Sequence, residues 1–270
     1  MFRWFRKRRS SAAVPDALWS AVLVRYGFLA ALSPSDLARL RALAGTFLKT
    51  KEFHGGHGFT VTDEIALSIA AQAVLPILHL DLDGEPASAL RWYDDFVGIV
   101  VHPGEVIARR ETTDEAGVVH HWDELLAGEA MEGGPVMLSW QDVEAAGSTA
   151  NQGYNVVIHE FIHKIDMRDG MADGCPPLPA GFMGTHGIRA AREAWMAVFE
   201  PEYERFREQA IVADRFGGPR GWLDPYGAVA PAEFFAVACE AYFVNRARFT
   251  ADFPAMLALF DPFFMPRGPG

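Results

Sequence analysis

Between Val156 and Asp166 the chain is apolar apart from His159, Glu160, His163, Lys164 and Asp166, and its two histidines stand four residues apart. Residues at i and i+4 share one face of a helix, so the spacing predicts a helix with both imidazoles on one side. Its flanks, Val156, Val157, Ile158, Phe161, Ile162 and Ile165, are those of a central helix. Polar groups inside such a helix need partners to offset their desolvation. His159-Glu160-Phe161-Ile162-His163 is an H-E-x-x-H pattern. In that pattern the two histidines offer nitrogens to one metal ion and the glutamate reaches a water beside it.

A chain of 270 residues, 50% hydrophobic, can bury a large core. We expect a basic arm over residues 1–11 and a single domain over 12–265. Within the domain we expect an N-terminal helical part, 12–130, and a catalytic part carrying the metal motif, 131–265. The net charge of -11 argues against direct nucleic-acid binding, which needs a basic face. With only Cys175 and Cys239 there is no disulfide scaffold and no cysteine-based zinc site. Two free thiols fit a cytoplasmic protein. The arm Met1-Phe2-Arg3-Trp4-Phe5-Arg6-Lys7-Arg8-Arg9 lacks the apolar core of a secretory signal, and no transmembrane segment is expected. It reads as solvated chain, or as a weak electrostatic contact with an anionic surface.

Helices are expected from Pro15, with Leu18, Trp19, Val22, Leu23 and Tyr26 inward, and from Ser33-Pro34 to about Leu48. Thr62 should cap a helix buried nearly all round, through Val74. Phe96 to Pro103 reads as a buried strand. Gly133 to Trp140 reads as a second strand, either an ordinary core strand or one that pairs with an extended peptide. The motif helix should run from about Gln152 to about Arg168, with Asp169-Gly170 as its stop. Gly174 to Gly181 is too rich in proline for helix or central strand and suits a wall or lid. An amphipathic helix with Trp195, Val198 and Phe199 should follow, and Pro231 should open another that reaches about Asn245. His54 and His57 in a glycine-rich turn, and the adjacent His120 and His121, are poor ligand candidates.

A catalytic zinc site has three protein ligands and one open position. Glycine and histidine at 166 and 169 would mark a metzincin, but aspartates stand there. Glu233, in the first turn of a buried helix, is the favoured third ligand, with His186 and Glu240 as alternatives. Glu240 is better suited to orienting a ligand histidine from behind, a task Asp166 could share.

These motifs carry a resemblance. Asn155-Val156-Val157-Ile158-His159-Glu160-Phe161-Ile162-His163-Lys164-Ile165-Asp166, Pro231-Ala232-Glu233-Phe234-Phe235-Ala236-Val237-Ala238-Cys239-Glu240 and Gly134-Pro135-Val136-Met137-Leu138-Ser139-Trp140 resemble the signatures of the Mlc titration factor A family of bacterial zinc peptidases. That family is in turn similar to the catalytic domain of anthrax lethal factor. The resemblance implies an α+β, mainly helical fold: a gluzincin-type metallopeptidase domain with a small sheet beside the H-E-x-x-H helix. It implies one zinc ion on His159, His163 and Glu233, with Glu160 and Tyr226 as the catalytic residues. It implies an aminopeptidase-like enzyme acting on a peptide or protein, and binding to the transcriptional repressor Mlc or a similar regulator. Under the alternative it implies, a non-catalytic protein would sequester a repressor and its zinc would be structural. Ala228-Val229-Ala230, where a more polar stretch is expected, and Cys239, where serine is common, depart from the family pattern without touching a ligand position.

Overall fold

The computed structural model describes residues 14–81, 84–113, 119–219 and 221–266, with side-chain detail for all of these except 106–126. The basic arm lies outside the described residues, as do the side chains of His120 and His121.

In chain order the first elements are α1 (Asp16–Arg25), α2 (Gly27–Ala30), α3 (Pro34–Thr50), β1 (Glu52–Gly55) and α4 (Asp63–Ala73). Next come β2 (Gly98–His102), β3 (Val106–Thr113), β4 (Val119–Leu126), β5 (Gly128–Ala130) and β6 (Val136–Ser139). The rest is helical: α5 (Trp140–Thr149), α6 (Val156–Asp166), α7 (Ile188–Phe216), α8 (Pro231–Val244), α9 (Arg246–Asp252) and α10 (Pro254–Phe264). Local chemistry sets several starts. The Ser33 hydroxyl accepts from the Asp36 N–H, and the Thr62 hydroxyl from the Ile65 N–H, each satisfying a donor that the first turn leaves open.

A four-stranded sheet runs in the order β1-β2-β6-β5. β1, β2 and β6 are parallel, and β5 closes one edge antiparallel to β6, with Gly128 opposite Leu138 and Ala130 opposite Val136. β3 and β4 form a separate antiparallel pair. The region before residue 131 is therefore not simply helical, since β1 to β5 lie in it. β2 is the strand expected over Phe96 to Pro103, whereas β1 and β5 are short and contain glycine, carry little strand signal, and are strands through non-local pairing. β6 is flanked on both sides, by β2 and β5, so it is the core strand; among the described residues the outer strands are β1 and β5, and β5 is the one beside β6.

α6 packs against α8, α4, β5 and β6. Behind it Phe47, Tyr93, Phe96 and Phe161 make tilted and edge-on ring contacts. Behind α8 a second aromatic group gathers around Trp195, Phe199, Phe235 and Phe260. Both groups join one buried cluster that extends from Val14 to Phe264.

Asn155, not Gln152, marks the start of α6. Gly153 takes a left-handed conformation, φ 78°, and ends the preceding turn. Asn155 Oδ1 then accepts from the Ile158 N–H at 2.9 Å, and its amide donates to Gln72 Oε1 at 2.7 Å. At the other end a 3-10 turn, Met167–Asp169, tightens the helix before left-handed Gly170 stops it.

Candidate metal centre

One face of α6 carries His159 and His163, their ring centroids 4.8 Å apart. α8, which begins at Pro231, brings Glu233 in its first turn to the same point. The Nε2 atoms of His159 and His163 are 3.1 Å apart, and Glu233 Oε2 lies 3.1 Å from the first and 3.2 Å from the second. His159, His163 and Glu233 are the one group of three potential metal ligands that converges this closely among the described residues.

Behind His159, Glu240 Oε1 lies 2.7 Å from Nδ1. The other oxygen of Glu240 accepts the Asn155 N–H, which ties α8 to the start of α6. A carboxylate at Nδ1 keeps the proton there, so the lone pair of Nε2 faces Glu233 and His163. Lone pairs from two imidazoles and a carboxylate crowded within about 3 Å repel each other unless a cation or a proton sits between them. A tetrahedral zinc with bonds of about 2.0–2.1 Å holds its ligand atoms about 3.3 Å apart, so the donor set and its spacing fit that ion.

The carboxylates around this point differ in character. Glu160 is 5% exposed, and burial pushes its carboxyl up to about 7 against the opposing pull of His159 and His163. Burial acts the same way on Glu233, but when protons, not a cation, sit between the three groups, hydrogen bonds from both histidines outweigh it and hold that carboxyl well below the usual range. Asp166 is raised to about 7 by burial. One of its oxygens accepts from the Gly174 N–H at 2.9 Å and the other has no hydrogen-bond partner. Asp166 thus faces the loop after the helix, while Glu240 holds the position behind a histidine.

A cavity of about 440 Å³ opens over the centre, within the usual range of ligand pockets. Tyr226 lines it from the short turn Pro225–Ala228, 40% exposed, with its ring 6.1 Å from that of His159. Asp224 Oδ1 accepts the Tyr226 N–H at 2.9 Å and fixes the turn. Neither His186, His102 nor Gly181 lines this cavity. His102 instead lies with its Nδ1 3.2 Å from that of His57.

Three lining residues escape a sequence reading. Tyr154 is half-buried, and burial together with nearby carboxylates raises its pKa strongly, so its hydroxyl stays protonated. Gly128 and Ala130 line the cavity from β5. Ser139 N–H bonds to Ala127 O at 2.7 Å and Met131 N–H to Pro135 O at 3.4 Å, so the odd-numbered residues face β6. By the alternation of antiparallel pairing, the peptide groups of Gly128 and Ala130 face the free edge. A short Gly-Glu-Ala segment has no strand propensity to reveal this. The only signal available was its position just before the strand that contains Val136.

The sequence model of the family described as glucose-regulated metallo-peptidase M90 matches residues 1–265. The chain belongs to this family. Among similar proteins, the Mlc titration factor A of Serratia proteamaculans is 30% identical over 267 residues, 98% of this chain and 92% of that protein. The Mlc titration factor A of Edwardsiella ictaluri is 33% identical over 237 residues, 87% of this chain and 82% of that one. An uncharacterized protein of Synechocystis, slr2042, is 34% identical over 242 residues, covering 89% of this chain and 80% of its own length. Membership in M90 implies a metal, and the His159, His163 and Glu233 cluster is a possible site for it. Among the described residues no helix is long and apolar enough to cross a membrane.

Proposed function

We propose that this chain is a zinc-dependent, aminopeptidase-like peptidase of gluzincin type, with one ion held by His159, His163 and Glu233. The observation that carries the reading is the convergence of those three donors at the floor of a cavity that Glu160 and Tyr226 also line. Zinc, when bound, supplies a Lewis acid and brings the pKa of a water to about 7. Glu160, buried at the wall of the cavity, takes the proton of the attacking water and passes it to the leaving amine. The Tyr226 hydroxyl donates a hydrogen bond to the developing oxyanion, a contribution of about 3 kcal/mol in such sites. Glu240 keeps His159 oriented and its proton on Nδ1. The edge groups of Gly128 and Ala130 support a peptide as substrate, because they can pair with an extended main chain whatever its side chains. Two buried free thiols, Cys175 and Cys239, are consistent with a reducing cytoplasm.

The test is a pair of variants. Glu160→Gln should keep its zinc and lose turnover, whereas Glu233→Ala should lose the zinc itself; wild-type peptidase activity in both would sink the assignment.

A second reading draws on the name of these relatives, Mlc titration factor A. Under it the chain binds the repressor Mlc or a similar regulator, and the zinc is structural. A purely structural centre has no use for Glu160 or for an exposed tyrosine beside it, which favours catalysis. Titration of the purified protein with such a repressor, with and without chelator, separates the two readings.

A further inference from the structure

Lys164 follows the second motif histidine and points the opposite way, into the protein, with a side-chain exposure of 0%. Its ammonium donates to Asp95 Oδ2 at 3.1 Å, to the Gly134 carbonyl at 2.9 Å and to the Met131 carbonyl. Three donors thus meet three acceptors, above the ring of Phe96 at 4.6 Å. Asp95 also faces Arg168, with 3.8 Å between Oδ1 and Nη1.

Two of those three acceptors belong to one feature, the turn that joins β5 to β6. The Met131 carbonyl also accepts the Gly134 N–H at 3.1 Å, closing the turn, while Glu132 and Gly133 at its tip are exposed. β5 has only three residues and one paired flank, so its own ladder holds it weakly. A buried lysine is costly unless fully paired, and an apolar side chain would suit the aromatic wall of Phe96 better. The ammonium makes sense here as the link between α6 and the hairpin.

We propose that Lys164 is a positioning residue that fixes the cleft strand Gly128–Ala130 at a set height over the metal ligands, so that its free edge meets an extended substrate. The proposal rests on the peptidase reading above. Position is carried by rigid connection: α6 presents His159 and His163 on one side and grips the hairpin with Lys164 on the other.

The experiment replaces Lys164→Met in the full chain and reads two things. Amide hydrogen exchange should rise by at least about tenfold at the hydrogen-bonded amides of the hairpin, Glu129, Met131 and Gly134, what losing a hydrogen bond to a charged group converts to. Exchange in α6 and α8 and the zinc content should stay as in wild type. KM for a fluorescence-quenched extended peptide should rise by about tenfold with kcat kept, while a small aminoacyl-anilide reporter, too short to lie along β5, keeps both constants. An exchange increase spread evenly over α6 and α8, or an equal KM change on both substrates, would overturn the proposal. Should the methionine variant not fold, Asp95→Asn keeps an acceptor oxygen but removes the countercharge; it should give a smaller rise confined to the same residues, and no local rise there would also overturn it. If the unmutated protein cleaves neither probe, the peptidase reading fails, and exchange alone decides whether Lys164 holds the strand.

Discussion

Gly128→Ala tests how closely the edge strand and the Glu160 carboxylate, the proposed general base, are fitted together. A Cβ at position 128 would lie 2.5 Å from Glu160 Oε1, 2.7 Å from its Cγ and 2.8 Å from its Cδ. Ordinary contact begins near 3.4 Å, so the carboxylate must retreat by about 0.9 Å or the strand must lift by as much. Glu160 is 5% exposed and has little room to withdraw without losing its aim. A misplacement of about 1 Å in a reacting group costs about 10²-fold in rate. We therefore expect kcat/KM on a peptide reporter to fall by about 10 to 100-fold. Zinc measured by mass spectrometry should stay at one ion per chain, because Glu160 is not a ligand. The melting temperature should stay within a few degrees, since the strand edge can give way locally. An alanine variant that keeps at least half the wild-type turnover would refute the reasoning; so would one that loses its metal.

Other outcomes follow from the same geometry. Glu240→Ala should weaken zinc binding by about 10 to 100-fold through the freed Nδ1 of His159, as read by competition with a chelator of known affinity. Tyr226→Phe should lower kcat by about 10²-fold while leaving zinc content unchanged, and equal turnover by the phenylalanine variant would remove the hydroxyl from the mechanism. Asp166 has a folded pKa of about 7 against 3.8 unfolded, so between those values the folded state keeps a proton that the unfolded chain has released. Stability contributed by this group is therefore lost as pH rises through that window. Urea unfolding at pH 5 and pH 8 should show the Asp166→Asn variant losing about 2–3 kcal/mol less than wild type. A chelator should abolish peptide cleavage and added zinc should restore it; activity that survives complete zinc removal would refute the metal's role.

Helical elements were legible in the sequence where local chemistry decides them. Ser33, Thr62 and Pro231 open helices where their side chains predict, and the i, i+4 histidines share a face. The meeting of Glu233 with that face was expected from its place in a buried helix and from the family resemblance; its distances were not. What stayed hidden depends on distant partners. β5 exists only because Val136–Ser139 lies beside it, and its glycine matters only because Glu160 comes up beneath it. Asp166 stands three residues after His163, where support for that histidine is expected; one of its oxygens accepts the Gly174 N–H, brought close by the turn after the helix.

The three-residue length of β5 has a consequence for solubility as well as for chemistry. An open strand edge is a template on which copies of a chain can pair and aggregate, and proteins blunt such edges by keeping them short. Here the edge ends at the turn after Met131, and its two outward peptide groups lie in a recess beside His159, His163 and Glu233 instead of on a flat face. On the peptidase reading such a recess suits a single flexible peptide better than the flat sheet edge of a second folded copy.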